Sequence, residues 1–132
     1  MNDEQLMVHG FHERFGLPCS DRPAWPGEAV HRLRVLLIEE ELAELRNAGE
    51  ARNLVAIADA LADLLYVVYG AAVTYGIDLA PVFREIHRSN MSKGDPEVVC
   101  RPDGKVLKGP DYSPPRVQEV VESQLEPAAA LA

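Results

Sequence analysis

Glu40, Glu41 and Glu44 lie within residues 36–45, and Asp59 and Asp63 lie within residues 57–66; both stretches read as helix. At about 100° per residue, Glu40, Glu41 and Glu44 share a sector with Val30, Leu33 and Leu37. The three carboxylates are therefore expected on the packed side of their helix. Asp59 and Asp63 are one turn apart on a helix that is otherwise almost wholly apolar. Enclosed carboxylates are unfavourable unless something cationic meets them. No Lys or Arg falls on those sectors. One answer is a divalent cation such as Mg²⁺, which takes oxygen ligands in octahedral geometry and keeps some water. The other is an acidic, solvated surface with Glu41 and Glu44 paired to stray bases, the usual fate of acid clusters on helices.

The elements that must position these acids can be read from periodicity and punctuation. A first helix is expected over residues 3–15, capped by Asp3 and stopped by Gly16. An irregular connector with Pro18, Pro23 and Pro26 follows, and its Trp25 is expected to pack on the bundle. The second helix spans about 28–48 and ends at Gly49. Its far side carries Arg32, Glu39, Arg46 and Glu50 as a solvated stripe, which assigns Glu39 to the surface. The third helix, about 53–75, is apolar on nearly every side, and a helix of that kind is buried all round. One subunit of 132 residues can hardly cover it, so a partner copy is expected to complete the burial. A fourth helix starts at Asp78 as N-cap, tolerates Pro81 in its first turn and ends near Asn90. Residues 98–107 suggest a small hairpin around Asp103-Gly104, and Pro114-Pro115 open a short last helix to about 125. The fold class is all-α: a helical bundle completed by oligomerisation, with a short C-terminal hairpin or loop and a helix. The whole of 1–132 reads as one domain, with a core over about 3–92 and a flap plus C-terminal helix over about 93–126.

Composition narrows the function classes. Hydrophobic residues make up 47% of the chain, which fits a packed domain and not a disordered one. The net charge of -8 disfavours coating of nucleic acid, which requires a basic surface, but leaves single nucleotides open because a bound metal inverts the local sign. The stretch 54–77 is long and apolar enough to raise the question of a membrane span; Asp59 and Asp63 near its middle and the lack of aromatic and basic anchors argue against it. Residues 1–5 are acidic without an apolar stretch, so no signal peptide is expected. Cys19 and Cys100, with no CxxC spacing, read as reduced thiols of a cytoplasmic protein. The histidines show no HxxxH spacing. Glu28 and His31 form a single ExxH where a ferritin-like di-iron site needs two, and His12 and His87 read as structural hydrogen-bonders.

Glu40-Glu41-Leu42-Ala43-Glu44-Leu45 followed by Ala62-Asp63-Leu64-Leu65-Tyr66 resembles the all-α nucleoside triphosphate pyrophosphatases, the superfamily of MazG proteins, dimeric dUTPases and phosphoribosyl-ATP pyrophosphatases. Its hallmark is an ExxE pair on one helix and an ExxD pair on the next. Glu41 and Glu44 match the first pair, Glu40 is the additional acid often found before it, and Asp63 matches the last acid of the second pair. Gly76-Ile77-Asp78, His87-Arg88-Ser89-Asn90-Met91-Ser92-Lys93 and Asp103-Gly104-Lys105-Val106-Leu107-Lys108-Gly109-Pro110 are similar to a MazG-like branch related to phosphoribosyl-ATP pyrophosphatase. That branch is sometimes labelled Cof-like hydrolase, although no DxDx motif on an apolar strand supports the chemistry of that label. The likeness runs from about residue 8 to 120. One position departs from it: Ala60 stands where the ExxD pattern wants an acid, and Asp59 sits one residue earlier, about 100° around the helix.

The resemblance implies a metal-dependent hydrolase that cleaves a nucleoside triphosphate, dUTP or dCTP first, to the monophosphate and pyrophosphate, in cleansing of the nucleotide pool. It implies Mg²⁺, or Mn²⁺, on Glu41, Glu44 and Asp63, with Asp59 a further ligand or an outer-shell group. Glu40 would orient or deprotonate the attacking water, or join a second metal site. It turns Lys93, Lys105 and Lys108 from ordinary solvated residues into a flap for polyphosphate, with Asn90 and Tyr112 contacting base or sugar. The expected partners are the small nucleotide and further copies of the chain, as a homodimer or tetramer, with neither nucleic acid nor membrane. Two other classes stay open: a metal- or nucleotide-binding regulatory helical module without turnover, and a structural dimerisation module.

Overall fold

The computed structural model describes residues 1–127, in the element order α1 (Asp3–Phe15), α2 (Glu28–Glu50), α3 (Leu54–Tyr75), α4 (Leu79–Met91), α5 (Pro96–Val99) and α6 (Val117–Leu125). No strand occurs among the described residues, so the all-α class holds. The chain divides into two compact units, Met1–Leu79 and a second that begins at Ala80.

In the first unit α3 packs against both α2 and α1. α1 is capped by Asn2, one residue before the expected Asp3: its side chain accepts from the Gln5 N–H at 2.9 Å. α2 runs through Gly49 to Glu50, because Ala48 is buried against the neighbouring helix and packing outweighs the cost of one glycine. Asn53 caps α3 by accepting from the N–H groups of Val55 and Ala56. At the other end the connector supplies donors: Ser20 and Ala24 N–H bond the carbonyls of Val73 and Tyr75. Gly76 then turns the chain at φ +70, and a Cβ there would overlap the Arg22 carbonyl. Gly76→Ala is accordingly expected to destabilise the fold by roughly 2–4 kcal/mol, read from urea midpoints. Buried Gln5 closes the layer, donating to the Ile77 carbonyl and accepting from the Leu79 N–H.

The buried side of α2 only partly matches the one its apolar pattern suggests, Val30 and Leu37 being half-buried. Arg34 and Ala48 are the buried residues of this helix, whereas Leu33 is 46% exposed and Glu40 and Glu44 are exposed. The packed stripe is thus rotated from the Val30–Leu33–Leu37 sector toward Arg34, Glu41 and Ala48, which follow one another at seven-residue spacing. Only Glu41 of the three acids is drawn inward, to a half-buried position, and an arginine does lie on the packed face. Along the first two-thirds of α3 only Ala60 is buried; Leu54, Val55, Leu61 and Leu65 are exposed, Leu65 at 57%. By length and mean hydropathy α3 is of the kind that can cross a membrane. Trp25 lies 63% exposed, its ring tilted 40° to that of His31 with centroids 4.9 Å apart.

In the second unit the expected hairpin is reduced to one antiparallel bridge, Cys100 to Val106, around the Asp103-Gly104 turn. Val98 and Val99 belong instead to α5, whose Asp95 cap and Pro96 at its first position favour a helical turn over a strand. The last helix begins at Val117, after both prolines, rather than on them.

Candidate functional site

Carboxylate oxygens of Glu41, Glu44 and Asp63 all lie within 4.8 Å of one another. The packing of α2 on α3 creates this meeting: Glu41 and Glu44 are one turn apart on α2, and Asp63 faces them from α3. Glu41 is the inner member, and its Oε2 is enclosed with no hydrogen-bond partner. Its carboxyl is pushed above the ordinary glutamate value, first by loss of water and then by the charges of Glu44, Asp63, Glu40 and Asp59. An orphaned carboxylate oxygen amid four like charges fits a divalent cation, which takes anionic oxygens and relieves their repulsion. Glu41, Glu44 and Asp63 are the residues that would hold it.

Glu40 and Asp59 stand outside the converging trio, although both act on Glu41 through their charge. The geometry also accounts for Ala60. It is 2% exposed, so an acid there would be fully enclosed, while Asp59 is exposed.

The substrate candidates occupy the second unit. Asn90 and Lys93 line a pocket of about 390 Å³ with Met91, Gly94, Pro96 and Val106. Lys105 is exposed on the turn, its N–H bonded to the Asp103 carboxylate. Lys108 Nζ sits 4.9 Å from the Tyr112 ring centroid, a cation–π contact that ties both to the loop.

Two features escape a reading by apolar stripes. The first is a polar layer inside the first unit. His12 Nδ1 donates to the Pro18 carbonyl at 2.9 Å, and the opposite ring nitrogen faces Arg34 Nη1 at 3.4 Å. Burial, outweighing the Pro18 bond, and the Arg34 charge hold the His12 pKa below its usual value. Because the unfolded chain takes up this proton first, His12 contributes stability that is lost as pH falls from about 6.5 toward the depressed native value. His12→Gln is expected to flatten the acid limb of a Tm–pH curve between pH 7 and 5. The second is Glu85, whose pair with Arg88 is a plain i, i+3 signal in the sequence. Bonds from Arg88 and from the Arg116 N–H hold its pKa down to about 2.

Helices alone among the described residues, with Glu41 and Glu44 on one helix facing Asp63 on the next, fit the architecture of the MazG-like nucleoside triphosphate pyrophosphatases. Residues 8–90 match the family model described as phosphoribosyl-ATP pyrophosphohydrolase, and the chain belongs to that family, whose members hydrolyse phosphoric anhydride bonds and typically depend on a divalent metal. It is also 50% identical over 48 residues to the Uncharacterized protein L479 of Acanthamoeba polyphaga mimivirus. That stretch covers 36% of this chain and 19% of the viral protein, so the chain spans only a small part of that relative's length.

Proposed function

We propose that the protein hydrolyses a nucleoside triphosphate to the monophosphate and pyrophosphate, with dUTP and dCTP as first candidates, and so cleanses the nucleotide pool. The observation that carries this is the convergence of Glu41, Glu44 and Asp63 around an unpartnered Glu41 oxygen. Mg²⁺, or Mn²⁺, bound there would neutralise phosphate charge and lower the pKa of a water. Glu41, Glu44 and Asp63 would hold the ion, and Asp59, whose charge also reaches Glu41, would serve as an outer-shell acid. Glu40, exposed at their edge, accepts the proton of the attacking water while the bond between the α and β phosphoryl groups breaks. Within the second unit, Lys93, Lys105 and Lys108 are point charges suited to phosphate oxygens, and Asn90 and Tyr112 are the groups suited to a nucleoside.

A homodimer or tetramer belongs to this reading. The sector of α2 that bears Glu40 and Glu44 also bears exposed Leu33, and α3 exposes Leu61 and Leu65; an apolar face of this extent calls for a second copy. The cytoplasm fits as the site of action, since Cys19 and Cys100 are both free.

The test is pyrophosphate release from a panel of nucleoside triphosphates, deoxynucleotides and phosphoribosyl-ATP included because the family description names it, with Mg²⁺ and Mn²⁺. The expected result is metal-dependent release with a deoxynucleotide preferred. Metal-induced thermal stabilisation with no release from any substrate would replace the enzyme by a regulatory metal-binding module. Neither stabilisation nor release would leave a structural helical module.

A further inference from the structure

The motif Arg88-Ser89-Asn90-Met91-Ser92-Lys93 has two sides. Asn90 and Lys93 line the pocket of the second unit. Arg88, Ser89 and Ser92 point instead to the returning chain. Arg88 grips Glu85 with Nε and Nη2 at 2.9 and 2.7 Å, and the same guanidinium donates to Ser113 Oγ and the Pro114 carbonyl, both at 3.1 Å. Glu85 Oε1 also accepts from the Arg116 N–H at 2.8 Å. Ser92 Oγ accepts from the Ser113 N–H at 2.8 Å, and buried Ser89 reaches the Tyr112 hydroxyl at 3.4 Å. The far end of the loop is tied back as well, the Gly109 N–H donating to the Lys93 carbonyl at 2.8 Å.

The bonds to Glu85 are charge-assisted, and its side chain is only 12% exposed. Their common effect is to fasten residues 112–116 on α4. Between that fastening and the Lys93–Gly109 bond, the segment bearing Lys105 and Lys108 is held at both ends. Tyr112, with Lys108 on its ring, is fixed beside the clasp.

We propose that the Glu85–Arg88 pair positions the substrate-binding loop: it orders Lys108 and Tyr112 before the nucleotide arrives, and so lowers the entropy lost on binding. Both act through the loop, as positioning residues. The proposal rests on the reading of this loop as the polyphosphate flap, and its test separates the two. In Glu85→Gln and Arg88→Lys the amides of Gly109, Tyr112, Ser113 and Arg116 should exchange faster with deuterium. KM for the best nucleotide of the panel should rise about tenfold, the equivalent of one charge-assisted hydrogen bond, with kcat within about twofold. The charge-swapped pair Glu85→Arg with Arg88→Glu should recover part of both losses. Stabilisation by Mg²⁺ alone should stay unchanged, since Glu41, Glu44 and Asp63 are untouched. Unaltered exchange in the loop would overturn the proposal, as would faster exchange with unaltered KM, or a fall in kcat at constant KM. If the wild-type protein turns over no nucleotide, the function reading fails by itself. Exchange then decides the clasp: deprotection confined to residues 109–116 keeps it, and unaltered exchange removes it.

Discussion

Asp63→Asn is expected to lower metal-dependent pyrophosphate release by about three orders of magnitude, roughly 4 kcal/mol of transition-state stabilisation. The substitution keeps the shape of the side chain and removes one of three converging negative charges. The divalent ion would lose an anionic ligand, and the phosphate oxygens would lose a well-held cation. The same change should leave the metal-free fold as stable as before, or more so, because the Asp63 charge is one of those that burden the Glu41 carboxyl. Glu44→Ala should behave alike in both respects. Activity and metal-free stability therefore move apart, which ordinary damage to the fold would not produce. Three measurements suffice: pyrophosphate release, Tm without metal, and the rise in Tm on adding Mg²⁺. Asp63→Asn with wild-type turnover and a wild-type Mg²⁺ response would remove Asp63 from the centre. A collapse of Tm without metal would mean that the carboxylate serves the fold.

The helices were legible because punctuation and period agree in them. Asn53 and Gly76 bracket α3, Gly16 closes α1, and the acids of the centre keep ExxE spacing. The trio Glu41, Glu44 and Asp63 came from the family resemblance, whose acids those three positions match; the helical period alone grouped Glu40 with Glu41 and Glu44 on the packed side, where only Glu41 is half-buried. The rotation of the packed stripe was not legible, because α2 carries leucines around much of its circumference. A single-helix wheel then picks the most apolar sector, whereas packing on α3 is settled by which small residues let the helices approach. Ala48 on α2 and Ala60 and Gly70 on α3 are buried small residues, and Arg34 lies against Gly70. The hairpin was overestimated for a local reason. Val98, Val99 and Val106 have strand propensity, but Asp95-Pro96 start a helical turn and leave room for one bridge only. The clasp of Glu85, Arg88 and Ser113 depends on contacts 25 to 31 residues apart, which no local pattern announces.

Arg34→Met is expected to raise the metal-free stability by about 1–3 kcal/mol, and Arg34→Ala to lower it by roughly 2–4 kcal/mol. Arg34 is 5% exposed, and among the described residues no carboxylate pairs with it. Its Nε has no hydrogen-bond partner, and its Nη1 has the long contact to the His12 ring. Loss of water depresses the guanidinium pKa, with the nearby Tyr75 oxygen opposing the shift, so the folded state carries the strain of a poorly compensated cation. Gly70 admits it: a Cβ there would come within 3.2 Å of both Arg34 Nη1 and His12 Nε2. Methionine keeps most of the volume and bends to fit, whereas alanine leaves a void beside a residue that has no side chain to fill it. The two variants thus separate volume from charge, and urea midpoints for both decide between them. Arg34→Met should also weaken the acid sensitivity of His12, because the neighbouring positive charge that opposes its protonation is gone. A destabilised Arg34→Met would show that the guanidinium contributes more through its packing and polar contacts than its burial costs.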